Sequence, residues 1–491
     1  MNWSNYIKGM LLLLLTMLSA CSQRPDNAVR SNQLPDIYPD YADVTIPVNI
    51  CPLNFLVRGD DVEAVFASAT DGKEMLEAGG NGNEVCFSLD DWHDFLANVV
   101  GKNVSVTVSV KKGGQWTEYK PFSWSVVADS IDSHLSYRLI EPDYEVFNNL
   151  EIEERDLESF ETRSLCNWGQ VGNKCMNCHV YGGQSSSLSM MYVRGQGGGA
   201  FLNRDGKLRK LNIKTDDMVS GSVYGGFSPS GRYFCFSANV IIPAFHSMPS
   251  KRLEVYDTSS DLYVADLDRN VIIRSSQLED SLYLETFPSF SPDGKYVYFC
   301  RAPKVTLPFD IANLQYSLCR VAFDEQSGQL ADSIETVVDA HDPRFAGKGS
   351  VSHPRISPDG RYLLYNVAAY GTFPIWHREA DLRMLRLSDM SVDSLSIVNS
   401  NKSDTYHSWS SNSRWFVFAS KRDDGLYGKP YFCYVDKEGK AHKPFVLPQR
   451  YPSFYDNCLK SFNLPELGRG QVPFTADDIR KLLEKEAEPF K

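Results

Sequence analysis

Phe290-Ser291-Pro292-Asp293-Gly294-Lys295-Tyr296-Val297-Tyr298-Phe299 reads as the end of one strand, a tight turn and the start of the next strand. Pro presets φ for the turn, Asp bonds its own backbone, and Gly accepts a positive φ. The same ten-residue pattern returns at Phe227-Ser228-Pro229-Ser230-Gly231-Arg232-Tyr233-Phe234-Cys235-Phe236 and from Ile356-Ser357-Pro358-Asp359-Gly360-Arg361 to Tyr365. A fourth copy, Trp409-Ser410-Ser411-Asn412-Ser413-Arg414-Trp415-Phe416-Val417-Phe418, has lost Pro, Asp and Gly from its turn. The copies start 63, 66 and 53 residues apart, a spacing that suits four-stranded units with variable loops repeated about an axis. A fifth unit lacks the turn motif and runs through Ser189–Arg194, Gly199–Leu202 and Lys207–Leu211. Either Phe454–Leu467 or the chain before Cys175 offers a sixth. The expectation is a β-propeller of five to seven blades over about 186–470.

The flanks of this region read differently. Between 43 and 128, Val104-Ser105-Val106-Thr107-Val108-Ser109-Val110 alternates strictly, and Gly113-Gly114 turns it back toward Phe122-Ser123-Trp124. Period-two alternation means one buried and one wet face, so an immunoglobulin-like sandwich is expected. Inside it, Trp92, Phe95, Leu96 and Val99 share one face of a short helix that Asp90 caps. The acid-rich stretch from Pro142 to Arg163 spaces Tyr144, Phe147, Leu150, Leu157 and Phe160 as one buried face, which predicts a helical connector over 129–185. In 471–491, Thr475 is placed to cap a helix carrying Ile479, Leu482 and Leu483. The fold class is therefore all-β, a sandwich followed by a propeller.

The chemistry concentrates in Cys175-Met176-Asn177-Cys178-His179. Cys-x-x-Cys-His is the attachment pattern of c-type haem, in which both thiols bond the porphyrin and the imidazole reaches the iron as proximal ligand. The alternatives for the same residues are a disulfide or a metal knuckle that recruits Cys166. For the distal position the candidates are Met190 and Met191 close after the motif, His353 and His407 just before repeat turns, His246, or an open site. The segment Gly195–Ala200 satisfies a dinucleotide fingerprint only superficially, because a hairpin pattern and no helix follows it; it reads as a turn.

Residues 1–20 carry Lys8, a short apolar run and Leu18-Ser19-Ala20 before Cys21, the pattern of a secretory signal too short to span a bilayer. The ending resembles a bacterial lipobox, which implies lipidation of Cys21, a polar tether over 21–42, and a cell-envelope location in the outer membrane with the leaflet open. A net charge of -12 with no basic run excludes a nucleic-acid partner. The remaining cysteines are scattered; several lie in apolar strand patterns as buried thiols, and Cys51 with Cys86 is a possible disulfide.

No Gly-x-Ser-x-Gly elbow occurs, and about 40 residues after the last repeat are too few for a peptidase domain. No catalytic residue is identified. The Ser-Pro-Asp-Gly repeats resemble those of TolB-like propeller proteins, and the ensemble of lipobox, Cys-x-x-Cys-His and blades is similar to bacterial lipoproteins of that type that carry a c-type haem motif. That resemblance implies covalent haem on Cys175, Cys178 and His179, and a role in electron transfer or redox sensing with a redox partner. The alternative expectation is a haem-free propeller that binds protein or glycan in the envelope.

Overall fold

The computed structural model describes residues 24–141, 149–248, 251–342 and 349–491. The expected leader, Cys21 and residues 142–148 of the expected connector lie outside them, as do the side chains of Asn177, Cys178 and His246. The chain divides into two compact units, Met1–Ser130 with Pro448–Cys458, and Ile131–Leu447 with Leu459–Lys491.

The first unit is the expected sandwich, a seven-stranded sheet and a three-stranded one. In Asn103–Lys112, Val104, Val106, Val108 and Val110 are buried, as the alternation requires. Trp92 and Trp124 meet edge to face at 5.4 Å, and their indole N–H groups donate to the carbonyls of Ile50 and Tyr41 at 2.8 and 2.9 Å. Two large rings are thus buried with their polar atoms satisfied. The helix spans Leu89–Asn98 and starts from Ser88 rather than Asp90. No disulfide joins Cys51 to Cys86, so that expected pairing is not formed.

The second unit is the propeller. Among the described residues it has six sheets, called blades 1 to 6 here, five of four strands and one of five. Blades 2 to 6 have innermost strands Met176–Gly182, Ser222–Phe227, Tyr283–Phe290, Ser350–Ile356 and Asp404–Trp409. Blade 1 is assembled from both chain ends. Its innermost strand is Ser461–Gly468, antiparallel to His134–Ile140, and Glu151–Asp156 and Thr162–Asn167 follow outward. Both segments that sequence offered for a sixth unit therefore meet in one blade.

This corrects the helical connector, since 151–156 and 162–167 are strands and the propeller starts near His134. The acids that suggest a wet helical face alternate in a strand instead. Ile152 and Glu154 point inward, and Glu154 is buried against Arg163 at 2.6 Å. Pairing with His134–Ile140 and Thr162–Asn167 overrides the helical spacing. Gly195–Ala200 is the expected turn, leading into the strand Gly199–Arg204.

Aromatic strands fill the seams between blades. Phe227, Phe234, Phe236 and Tyr263 pack with Val180 and Met190, while Tyr233 and Cys235 pack with Phe290, Phe299 and Phe323. At the C terminus, Thr475 forms a capping box with Asp478 for the helix Ala476–Leu483, and Ile479 and Leu482 close the seam beside Cys166 and Met176. Glu488–Pro489 then adds a parallel strand to the outer edge of blade 2.

Candidate functional site

The residue that opens each repeat occupies one register position: Phe227, Phe290, Ile356 and Trp409 pair with Phe234, Val297, Leu363 and Phe416. Tyr181 and Leu467 hold the same place in blades 2 and 1. Counting back from there, strand alternation sends every second residue to the propeller axis.

One residue back stand Val180, Gly226, Ser289, Arg355, Ser408 and Glu466, one from each blade, and all six line an axial pocket of about 310 Å³ that opens among the Ser-Pro turns. Arg355 is held by Glu466 at 2.9 Å. Burial pushes the Glu466 carboxyl up, against the pull of Arg355. Arg469, at the mouth, donates to the Gly183 carbonyl at 3.3 Å. Trp409 adds an aromatic wall and donates its indole N–H to Arg355 O at 3.1 Å. Two cations and one carboxylate thus face a site of ligand size.

Three residues back, side chains plug the axis. Tyr224, Phe287, His353 and Tyr406 form a chain of ring contacts with centroids 4.2, 3.8 and 4.9 Å apart. Four of the innermost strands turn to positive φ here, at Phe287, His353, Tyr406 and Leu464. Each strand also breaks register at this point, and the resulting bulge re-aims the side chain. The plug leaves a space of about 50 Å³ beside His179, His353, Arg355 and Glu466. Burial drives the His353 imidazole well below its ordinary value, with His407 and Arg355 adding to the effect, and neither ring nitrogen has a hydrogen-bond partner.

His179 and His407 stand one residue after the plug, where side chains enter the seams between blades. His407 Nε2 lies 3.0 Å from Leu364 O, and burial lowers its pKa to about 3. His179 is 7% exposed; burial lowers it to about 4, partly offset by the Ser136 main chain. On its far side is a space of about 20 Å³ lined by Met190, Met191, Phe201 and Phe474. The structure therefore places His179 beside His353 on one side and beside Met190 and Met191 on the other, while His407 turns away from the axis. Cys175 is half-buried just before the strand, and Cys178 lies within it.

Among the described residues, no space beside His179 has room for a porphyrin. A cofactor of that size needs roughly 300 Å³ or more, and the spaces beside His179 measure about 50 and 20 Å³. Met176, Val180, Met190 and Met191 already fill the seams around it. Among the described residues no group of three or more His, Cys, Asp or Glu side chains is arranged to hold a metal ion. Cys166 lies 3.0 Å from the Met176 sulfur, in an apolar cluster. No helix among the described residues is long and apolar enough to cross a membrane.

Of the residues that build the pocket, Trp409 opens the fourth repeat, while Arg355, Glu466 and Arg469 carry no motif. Their signal was the alignment of the repeats, in which Ser289, Arg355 and Ser408 share one column.

No family model and no curated protein matches the chain. Among solved structures, a puromycin hydrolase is similar at 11% identity and a TM-score of 0.36, over 64% of this chain and 45% of that one. A DUF4784 family protein from Bacteroides caccae is similar at 10% identity and a TM-score of 0.30, over 74% of this chain and 97% of that one. The tricorn protease is similar at 11% identity and a TM-score of 0.34, over 71% of this chain and 34% of that one. The chain thus spans less than half the length of the puromycin hydrolase.

Proposed function

We propose that this chain is a binding propeller of the cell envelope, held to the membrane through Cys21, whose axial pocket takes an acidic group of a partner molecule. The observation that carries this reading is the blind pocket of about 310 Å³ with Arg355 and Arg469 facing it, closed below by the ring plug. Guanidinium groups recognise carboxylates through paired N–H donors, and a partly desolvated site strengthens each bond. Trp409 in the wall makes the pocket its own reporter. A fluorescence titration with short peptides ending in a carboxylate, their amidated counterparts and neutral oligosaccharides tests it. Carboxylate-bearing peptides bind, and Arg469→Ala or Arg355→Ala weakens them by about tenfold or more, the range of one charge-assisted bond. Equal binding of the amidated peptides, or of neutral sugars in the arginine variants, overturns the reading.

The pentapeptide favours a second reading, a covalent haem on Cys175 and Cys178 with His179 as proximal ligand, serving electron transfer or redox sensing. It requires the strand Met176–Gly182 to leave blade 2, because the folded seam has no room for the group. A pyridine haemochrome spectrum on protein exported alongside the c-type maturation machinery decides it, with Cys175→Ala/Cys178→Ala as control. One haem lost in the control establishes this reading; none leaves the binding propeller.

A further inference from the structure

The hairpin of blade 3, Tyr233–Met248 paired with Lys251–Asp266, has strands of sixteen residues where the equivalent strands of the other blades have six to nine. Its first part is an ordinary blade strand pair. The remainder is a two-stranded arm on the face away from the Ser-Pro turns, because strand connections alternate between the two faces of a propeller. This arm does not end in its own blade. Leu253 and Val255 pack on Phe373 and Trp376, which belong to the loop between the second and third strands of blade 5, two blades further round the ring. Tyr224 of the plug packs against the same cluster, and Phe373 also touches Phe287. The arm therefore lies across the axis and closes its second mouth.

Polar contacts hold it there. Glu254 on the arm accepts from the Tyr370 hydroxyl at 2.7 Å and lies 3.5 Å from His377 Nε2. His377, 1% exposed, has its Nδ1 3.1 Å from Glu379 and meets the Tyr370 ring at 4.7 Å. Nearer the blade, Asp257 is fully buried, and neither carboxylate oxygen has a hydrogen-bond partner of good geometry.

We propose that the arm is a pH-sensitive latch, docked across the propeller axis by His377 and Asp257 at acidic pH and released as the pH rises. Two titrating groups act in the same direction. His377 is raised above its ordinary value: burial opposes the charge, but Glu254 and Glu379 outweigh it. Its contribution is complete below about 6.5, the ordinary value for His, and is lost as the pH climbs through the raised value. Asp257 is pushed up to about 7 by burial, with Asn239 and Arg194 only partly offsetting it. Its contribution to docking is complete below about 4, the ordinary carboxylate value, and is lost progressively as the pH rises through about 7. The other groups around these two are Tyr370 and Lys421, which lies over the Trp376 ring, and Tyr316, which faces Asp257 from blade 4. Glu285 belongs to the innermost strand of blade 4 and is paired with Arg301 at 3.0 Å, so it is no part of the latch. Glu379 is lowered to about 2, so it stays ionised throughout the window.

An undocked two-stranded arm is marginal in water, so backbone protection reports docking. Hydrogen exchange of the whole protein at about pH 6 and about pH 8, corrected for intrinsic exchange, is followed in segments 253–260 and 370–377, where each proton released raises the opening constant by up to tenfold per pH unit. The strand pair Trp415–Ser420 and Lys429–Tyr434 of blade 6 serves as internal reference for folding. Both segments lose protection at the higher pH while the reference does not. Asp257→Asn retains more protection than the wild type at the higher pH, and Glu254→Gln loses it at both. Unchanged protection of the wild type between the two pH values, or a pH response that survives in Asp257→Asn/His377→Gln, overturns the latch.

Discussion

His353 is the least comfortable residue in the plug. Its ring touches Phe287 and Tyr406, yet neither nitrogen finds a partner, and burial keeps it neutral. His179 and His407 are also held neutral, at about 4 and about 3. For each the folded value lies below the unfolded one near 6.5, so the stability it supports is complete above that pH and is lost as the pH falls. At pH 5 the unfolded chain binds a proton that folded His179 does not, a cost of about 2 kcal/mol for this group alone. Urea midpoints measured from pH 7 down to pH 4 are expected to fall steeply below 6.5. His353→Phe is expected to raise the midpoint at pH 7 and flatten the acid limb, because it replaces an unpaired buried imidazole by the ring type its neighbours already use. His407→Ala is expected to do the opposite at neutral pH. It strands the Leu364 carbonyl and empties a seam, a loss of about 1–3 kcal/mol.

The Ser-Pro-Asp-Gly turn shows why that element was legible and the connector was not. In blade 5 the Ser357 hydroxyl donates to Asp359 at 2.7 Å and accepts from the Tyr362 amide at 3.0 Å, and Gly360 sits at φ +73°. These bonds, which shape the turn, are made within six residues, so the local chain specifies its form. Blade 6 keeps the same left-handed backbone at Ser413, φ +60°, and compensates for the missing glycine with a contact between turns, as its hydroxyl accepts from the Asp359 amide at 2.9 Å. A Cβ at Gly360 meets nothing within 4 Å. Gly360→Ala is therefore expected to cost about 1–2 kcal/mol through backbone strain alone, read as a lower urea midpoint with unchanged slope. The strands at 151–156 and 162–167 pair with each other, and the first of them with His134–Ile140; the strand that completes this blade, Ser461–Gly468, lies about 300 residues away, so no local pattern announces them. The register breaks that aim His353 at the axis and His407 into a seam are likewise set by pairing, so both histidines looked equivalent as sequence.

At the scale of the whole propeller, closure carries the most weight. Blade 1 joins Ser461–Gly468 to His134–Ile140, so the ring is sealed by main-chain bonds between distant parts of the chain, and Glu466 reaches the pocket only through that seal. The repeats announced a ring but not its seam, because the closing strand carries Leu464-Pro465-Glu466-Leu467 in place of the turn motif. Two shortened chains separate closure from simple loss of mass. A chain ending at Gly470 loses the capped helix and the added strand Glu488–Pro489 but keeps the seal. It is expected to elute as a monomer and unfold in one transition at a reduced urea midpoint, since burial by Ile479 and Leu482 is removed. A chain ending at Lys460 exposes the whole edge of His134–Ile140, an unpaired strand with apolar seams on either side. It is expected to aggregate or to unfold over a broad range, and to lose the peptide response at Trp409. Gel filtration and urea unfolding of the pair, run side by side, check this: equal behaviour of the two chains would mean that the ring holds without its closing strand.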